Sequence, residues 1–572
     1  MKPKISIGNQ SFSSMRERQV FYVDKTCLIK EWWESEDSVT LITRPRRFGK
    51  TLNMSMLECF FSARYAGRAD LFEGLSIWDD EAYRELQGTY PVIFLTFAGV
   101  KANNLKGAKS GIVKAIADAY YAHVYLKESS VLNAEEKKKF DAFHLYTIDP
   151  SPDKDIDSQL VCTAIGTLSM YLERYYGKKV LIFLDEYDTP LQEAYVSCYW
   201  KELITLIREM FNTTFKTNPH LHRAIMTGIT RVSKESIFSD LNHLKVITVT
   251  SEQYATCFGF TENEVFSTLE TRGLSKEKEN IKFWYDGFIF GNQPDIYNPW
   301  SITNYLDEEK YAPYWASTSS NTLVSELIRH GDADLKMQME DLLAGKSLEA
   351  TFDEQIIFDQ LGHVPGAVWS LLMASGYLKP VSHTFIPETC EHHYLLKITN
   401  FETLAMFKKM ISHWFPEDVT SYKNFKKALL LGDLDYMNEF MNDVSKAMFS
   451  SFDSGNHPSE KSQPERFYHG FVLGLVVDLA DQYHIRSNRE SGFGRYDVIM
   501  EPKTNACDAI IMEFKVFSKK KDKTLEQAVK NALKQIEDKA YDTDLLAKGI
   551  PQERIRHYGF AFEGKTVLIG QG

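Results

Sequence analysis

The stretch Arg44-Pro45-Arg46-Arg47-Phe48-Gly49-Lys50-Thr51 follows the apolar run Val39-Thr40-Leu41-Ile42-Thr43. A strand running into Gly-Lys-Thr at the start of a helix makes a phosphate cradle. Backbone N–H groups face the anion, Lys50 reaches the β- and γ-phosphates, and the Thr51 hydroxyl can hold Mg²⁺. The first Gly of the general G-x-x-x-x-G-K-[ST] pattern is Arg44 here, which removes a residue free to adopt positive φ. Arg44, Arg46 and Arg47, with Phe48 and Gly49, therefore read as an altered phosphate loop. Each arginine can donate charge-assisted hydrogen bonds to a triphosphate, pair with an acid elsewhere, or face solvent. Downstream, five apolar residues at 180–184 run into Asp185 and Glu186. Asp185 fits the metal side of a nucleotide site, and Glu186 can polarise the attacking water. The run Ala224-Ile225-Met226-Thr227-Gly228-Ile229-Thr230-Arg231 ends in polar residues at the same sheet edge, where ligands of such folds sit. Thr230 or Arg231 can sense the γ-phosphate there, with a surface ion pair as the alternative for Arg231.

A second group lies near the other end of the chain. Asp497-Val498-Ile499-Met500 leads to a turn at Pro502-Lys503-Thr504-Asn505, and the chain returns as Ala509-Ile510-Ile511-Met512-Glu513-Phe514-Lys515-Val516. Glu513 and Lys515 share a strand face. With the turn centred near Thr504, Asp497 pairs with about Ile511 and lies diagonal to Glu513; a slip by one residue would break this arrangement. Two acids and a lysine on apolar strands are costly to bury without a purpose. Asp497 and Glu513 can bind Mg²⁺ or Mn²⁺ through oxygen, and Lys515 can orient a water and offset developing negative charge. The cluster Lys519-Lys520-Lys521-Asp522-Lys523 either grips phosphates or forms a solvated loop. Tyr468-His469 reads as structural. Cys390, His392 and His393 lack a second ligand pair at zinc spacing.

These residues need elements to hold them. Strand-like runs at 39–43, 91–97, 180–184, 223–227 and 245–250 alternate with helical stretches such as 52–63, 108–126 and 158–176. That alternation predicts a mainly parallel sheet with helices on both faces. Residues 251–320 carry short helices and aromatic turns, and 320–450 read as mostly helical. The polar, breaker-rich segment 450–459 opens a last domain of helix (465–482), hairpin (496–516), helix (525–541) and strand (557–562). The expected boundaries are 1–250, 251–320 (a small helical or winged-helix-like lid), 321–450 and 451–572, since 572 residues exceed one core. Asp24 reads as the N-cap of the helix carrying Trp32-Trp33 rather than as a nucleotide contact. A net charge of −12 argues against nonspecific coating of nucleic acid or anionic membrane, though not against a local basic groove. Seven scattered cysteines without a C-x-x-C pair point to a reducing compartment. With no membrane-length apolar run and no signal-peptide core, a cytoplasmic protein without a membrane partner is expected.

Phe21-Tyr22-Val23-Asp24-Lys25-Thr26, the loop Arg44–Thr51, Leu184-Asp185-Glu186-Tyr187-Asp188, Thr227-Gly228-Ile229-Thr230-Arg231, Phe258-Gly259-Phe260-Thr261, Tyr285-Asp286-Gly287 and Tyr297-Asn298-Pro299-Trp300-Ser301 together resemble the AAA-ATPase-like family of bacterial proteins. The resemblance covers roughly residues 5–320 and recurs at the C-terminus. Family members carry the Arg-Pro-Arg-Arg-Phe-Gly-Lys-Thr form, so Arg44 departs only from the general loop. Asp497…Glu513-x-Lys515 between helices resembles the PD-(D/E)XK nuclease superfamily. On that resemblance Glu465 matches a frequent helical acid of the superfamily, and Gln535 and Tyr541 match a Gln-plus-Tyr motif of some members. The implied architecture is α/β: an N-terminal P-loop NTPase parallel sheet, a helical middle and a C-terminal restriction-endonuclease-like domain.

The resulting expectation is an ATP-controlled, Mg²⁺-dependent nuclease acting on nucleic acid, with DNA favoured over RNA. The site residues would be Arg44, Arg46, Arg47, Phe48, Gly49, Lys50, Thr51, Asp185, Glu186 and Arg231 for nucleotide, and Asp497, Glu513, Lys515 and Glu465 for cleavage. Thr51 and Asp185 would serve one metal and Asp497 and Glu513 the other. The competing expectations are a nucleotide-dependent switch or scaffold whose nuclease-like domain only binds, and a translocating motor. A homo-oligomer supplying an arginine in trans is compatible with each. A role in mobile-element biology or phage defence rests on analogy with the domain combination.

Overall fold

The structure is a computed structural model of the chain. It describes residues 3–148, 157–230, 237–238, 241–316, 322–330, 333–343, 345–351, 366–388, 391–412, 419–449, 479, 482–487, 490–491, 494–495, 498–504, 507–517, 522–563 and 566–572. The chain forms two compact units. The first is Met1–Leu327 with Ser347–Leu404, and the second is Ile328–Lys346 with Ala405–Gly572.

In the first unit the strands β1 (Val39–Thr43), β2 (Val92–Thr96), β3 (Val180–Asp185), β4 (Leu221–Gly228) and β5 (Leu244–Ile247) form one sheet in the order β2-β3-β4-β1-β5. Every pairing is parallel. Parallel strands covered on both faces are mainly apolar, and all residues of β1 and β3 are buried. Alternate side chains feed two cores. Leu41, Ile182, Leu184 and Met226 pack with the helices Leu105–Ala122, Ser158–Tyr176 and Trp200–Phe211. Ile42, Leu181, Phe183 and Ile225 pack with α2 (Cys27–Glu34) and α3 (Lys50–Phe61), α1 being Phe12–Glu17. The acid-bearing strand β3 does not adjoin β1, because β4 lies between them. Chain order does not fix lateral order when helical crossovers separate the strands.

Two small antiparallel sheets follow, within stretches whose sequence reads as helices and turns. One contains β6 (Phe260–Thr261), β7 (Phe288–Phe290) and β8 (Gln293–Tyr297) in the order β6-β8-β7. The other contains β9 (Leu348–Thr351), β10 (Leu378–Ile386) and β11 (Glu391–Ile398) in the order β10-β11-β9. Most of β10 is exposed, so it lacks the inside–outside alternation that marks a half-buried strand.

Glu402 opens a helix at Phe401–Ser412 and is fully buried. Its Oε1 accepts from Trp315 N at 2.6 Å and Ala316 N at 3.4 Å, and its Oε2 accepts from Ser301 Oγ at 2.9 Å. Burial pushes its pKa up to about 7 despite these donors. The folded chain therefore holds this proton at pH values where the unfolded chain has lost it, so stability falls as pH rises from the ordinary carboxyl range through about 7. Asp286, raised to about 7 by burial and its neighbour Asp295, adds to the same slope. Glu402→Gln keeps all three contacts without the titration. It is expected to flatten part of the fall in Tm between pH 5 and 8, read by scanning calorimetry.

In the second unit β12 (Tyr483–Ser487), β15 (Val498–Pro502), β16 (Ala509–Val516), β17 (Ile555–Glu563) and β18 (Thr566–Gln571) form a mixed sheet in that order. The short strands β13 (Glu490–Ser491) and β14 (Gly494–Arg495) pair separately. Only β16 and β17 run parallel, and the helix Leu525–Asp538 lies between them in the chain. One face of β16 sends Met512 and Phe514 into a core shared with Phe425, Leu429 and Met441. On the other face Ile511 packs with Ile536 of the crossover helix. In the hairpin Val498 faces Met512, where a turn centred at Thr504 would set it against Ile510. The hairpin is thus centred one residue later than the sequence suggested. A shift of two paired positions preserves the faces, because side chains alternate with period 2.

Candidate nucleotide and nuclease-like sites

The phosphate loop of the first unit runs from the end of β1 into α3. Gly49 caps α3 with φ +80°, and a Cβ there would meet nothing within 4 Å, which leaves an open backbone cradle at the helix start. Arg47 also takes a left-handed conformation, φ 65°. Together these two turns supply the path that a glycine at position 44 would otherwise ease. Lys50 is buried, and its Nζ donates to the carbonyls of Arg44 at 2.9 Å and Pro45 at 2.8 Å. Burial lowers the pKa of its ammonium, while Glu186, Asp188 and Asp185 pull it back up.

Asp185 ends β3 and is fully buried. Its Oδ2 accepts from Thr51 Oγ1 at 2.7 Å and its Oδ1 from Thr227 Oγ1 at 2.5 Å. Thr227 sits on the intervening strand β4, so that strand links the acid to the loop instead of separating them. Burial raises the Asp185 carboxyl pKa, and the two hydroxyl bonds lower it. Glu186 adopts φ 52°, which turns its side chain into the cavity while Asp185 stays inside. Its Oε2 accepts from Thr189 Oγ1 at 3.2 Å.

The cavity over the loop measures about 460 Å³, within the roughly 300–1,000 Å³ range of small-molecule sites. Arg46, Arg47, Phe48, Gly49, Lys50, Thr51 and Glu186 line it, with Tyr22, Gln192 and Trp300. The Arg47 guanidinium stacks on the Trp300 ring at 4.3 Å, and Arg46 reaches Gln192 Oε1 at 3.4 Å. Phe48 is buried, its ring 4.7 Å from that of Phe288, so it anchors the loop more than it meets a ligand.

Arg44 corrects the expectation of a phosphate contact. Its guanidinium points into the protein and donates to the carbonyls of Thr43 (2.9 Å), Thr248 (2.7 Å) and Tyr254 (3.4 Å). It also lies 4.6 Å from the Phe290 ring centre. Burial lowers its pKa to about 10, still charged near neutrality. The arginine in place of glycine thus ties the loop to the chain after β5. Arg44→Ala removes a donor from three carbonyls, at about 1–3 kcal/mol for a buried group left unsatisfied. A stability loss of about 3 kcal/mol is expected in urea unfolding, with partial recovery in Arg44→Lys. Asp24 is likewise not the cap itself. It accepts from Thr26 N at 2.9 Å and Ser76 N at 2.7 Å, and Thr26 precedes α2.

Asp188, which the sequence shows only as the end of the motif Leu184–Asp188, is a further buried acid of this site. It is fully buried, and its Oδ2 accepts from Ile229 N, Thr230 N, Thr230 Oγ1 and Gln192 Nε2 at 2.9–3.1 Å. Its Oδ1 has no hydrogen-bond partner among the described residues. A Cβ on Gly228 would come within 2.8 Å of that oxygen, so the glycine is required by close approach. The available signal was spacing: Gln192 lies one helical turn after Asp188. Arg231 lies outside the described residues.

In the second unit Glu513 is buried on β16, on the face of the crossover helix. Lys515 Nζ lies 3.2 Å from Glu513 Oε1, and Gln535 Nε2 of the helix donates to the same oxygen and lies 3.1 Å from the Tyr541 hydroxyl oxygen. The structure therefore brings together Glu513, Lys515, Gln535 and Tyr541. Asp497, Glu465, Tyr468, His469, Lys519, Lys520, Lys521 and Cys390 lie outside the described residues. No helix among the described residues is long and apolar enough to cross a membrane.

Residues 6–238 match the family model described as a predicted AAA-ATPase, and residues 463–572 match that of the PD-(D/E)XK nuclease superfamily. The chain thus carries an AAA-ATPase-like domain and a C-terminal PD-(D/E)XK nuclease superfamily domain. An uncharacterized protein in the vnfD 5′ region of Azotobacter chroococcum mcd 1 is 24% identical over 560 residues, spanning 96% of this chain and 95% of that protein. The two family matches support nucleotide binding in the first unit and a nuclease-type hydrolase fold in the second.

Proposed function

We propose that the protein binds ATP at the loop Arg46–Thr51 and cleaves phosphodiester bonds of nucleic acid, DNA above RNA, at Glu513 and Lys515, with ATP controlling cleavage. The observation that carries the reading is the buried Glu513 carboxylate held beside Lys515 Nζ, 3.2 Å away, and Gln535. A buried acid, an amine and an amide at one spot are expensive unless they serve a polar ligand.

The residues present fit the groups both families imply. Among the described residues Lys50 donates only to carbonyls of its own loop, which a triphosphate can replace, and Gly49 leaves its cradle open. Thr51 and Asp185 offer oxygen donors suited to Mg²⁺. In the second unit Glu513 offers the same chemistry, with Asp497 and Glu465 as further proposed acids. When bound, Mg²⁺ or Mn²⁺ supplies Lewis acidity to the phosphate it meets. The chain's own contributions are distinct. Lys50 and Arg46 orient the triphosphate, Arg231 is proposed to sense its end, and Glu186 takes a proton from the attacking water. Lys515 offsets charge developing on the scissile phosphodiester. The described cysteines are free thiols, which fits a reducing cytoplasm.

Glu186→Gln is expected to retain ATP binding by calorimetric titration and to lose turnover by about 10²–10⁴-fold. Undiminished turnover would remove Glu186 as the base. Cleavage is tested on plasmid, single-stranded DNA and RNA with Mg²⁺, with and without ATP. ATP binding without cleavage of any substrate would instead establish a nucleotide-dependent switch.

A further inference from the structure

Beside the nucleotide cavity, α2 and the loop after β5 bring two thiols and a carboxylate together. Cys27 opens α2 and Glu31 follows one helical turn later, so the two share a face. Cys257 reaches that face from the chain segment before β6. Cys27 Sγ and Cys257 Sγ are 3.5 Å apart, and Cys257 Sγ is 3.4 Å from Glu31 Oε1. All three ligand atoms lie within 4.8 Å of one another, the one such group found among the described residues.

We propose that Cys27, Cys257 and Glu31 form a binding site for a thiophilic divalent cation of the Zn²⁺ class, separate from the Mg²⁺ sites of the two proposed activities. The geometry favours this ion over a hard one. Tetrahedral Zn²⁺, with Zn–S of about 2.3 Å and Zn–O of about 2.0 Å, needs donors roughly 3.8 Å apart for two sulfurs and about 3.5 Å for sulfur and oxygen. The observed 3.5 and 3.4 Å lie close to those edges. Glu31 is already aimed, because its second oxygen accepts from Tyr254 N at 3.1 Å, the outer-shell support typical of metal carboxylates. Loading would release a proton from each thiol and leave the fourth position open to water or another ligand.

The site would also brace the loop it adjoins. Cys257 lines the nucleotide cavity, and its carbonyl accepts from Asn53 of α3 at 2.9 Å. Two residues further on, Gly259 N donates to Phe48 O of the phosphate loop at 3.4 Å. A cation joining α2 to Cys257 would therefore tie the phosphate loop to α2.

The test uses the reduced full-length chain. On titration with Co²⁺ the expected result is about one equivalent giving a thiolate-to-metal charge-transfer band, displaced by Zn²⁺. Co²⁺ at either proposed Mg²⁺ site has only oxygen donors and gives no such band. Cys27→Ser and Cys257→Ser should abolish the band and Cys198→Ser should not. Glu31→Gln should keep it with affinity weakened about tenfold or more. If either serine variant fails to fold, residue-resolved alkylation of the wild type decides, since Zn²⁺ must protect Cys27 and Cys257 together. Absence of the band, its persistence in Cys27→Ser, or alkylation unaffected by Zn²⁺ overturns the proposal. So does a chain that takes up no metal when reduced but joins the two thiols on oxidation.

Discussion

Lys515→Ala is expected to lower phosphodiester cleavage by at least about a hundredfold, the usual loss when one positioned donor to developing negative charge is removed. Lys515 is partly exposed, and its described ion pair is with Glu513 on the same strand, 3.2 Å away. Little of the second unit's packing depends on it, so the variant should keep its Tm. Glu513→Gln should match the loss while preserving the hydrogen bond from Gln535, because an amide oxygen still accepts. Cleavage is read on agarose gels from supercoiled plasmid with Mg²⁺. Full cleavage by both variants would mean that the two residues form a structural ion pair on the strand face. Full cleavage by Lys515→Ala but none by Glu513→Gln would leave the acid as the reactive group and remove the lysine from the chemistry.

Lys50→Ala carries the second large effect. Its ammonium is the buried cation at the start of α3, inside the cavity. A hydrogen bond to a charged group contributes about 1.5–3 kcal/mol, so ATP affinity should fall about tenfold to a hundredfold, read by titration calorimetry. Turnover should be lost altogether, because in the proposed role the same ammonium would face the phosphates in the reacting state. The variant also tests control. If ATP governs cleavage, Lys50→Ala should make cleavage indifferent to ATP, whereas unchanged ATP dependence would place the controlling nucleotide elsewhere. Arg44→Ala is the useful contrast: its guanidinium never enters the cavity, and its effect should appear first in unfolding.

Much of the nucleotide half was legible as sequence, for local reasons. Apolar runs flanked by helical periodicity predicted the five strands, and β1 coincides with residues 39–43 as read. Gly49-Lys50-Thr51 could only be the start of a helix behind a strand, and Lys50 does open α3. Asp185 and Glu186 were legible because two acids closing a buried run must emerge at a strand end. On the nuclease-like side, the spacing of Glu513 and Lys515 settled that they share a face, since strand periodicity survives the two-position shift in register.

What tertiary structure decided were the matters that depend on which distant segments meet. β4 lies between β1 and β3, so Asp185 reaches Thr51 with help from Thr227 on the intervening strand, a contact that only the lateral strand order creates. Arg44 read as an element of the phosphate loop able to meet a triphosphate, an acid or solvent. It turned inward because the carbonyls of Thr248 and Tyr254, some two hundred residues away, converge on it. The Cys27–Glu31–Cys257 cluster was silent for the same reason. Residue type and spacing determine what a segment is able to do, but burial and the partners brought by the fold determine which of those capacities is used.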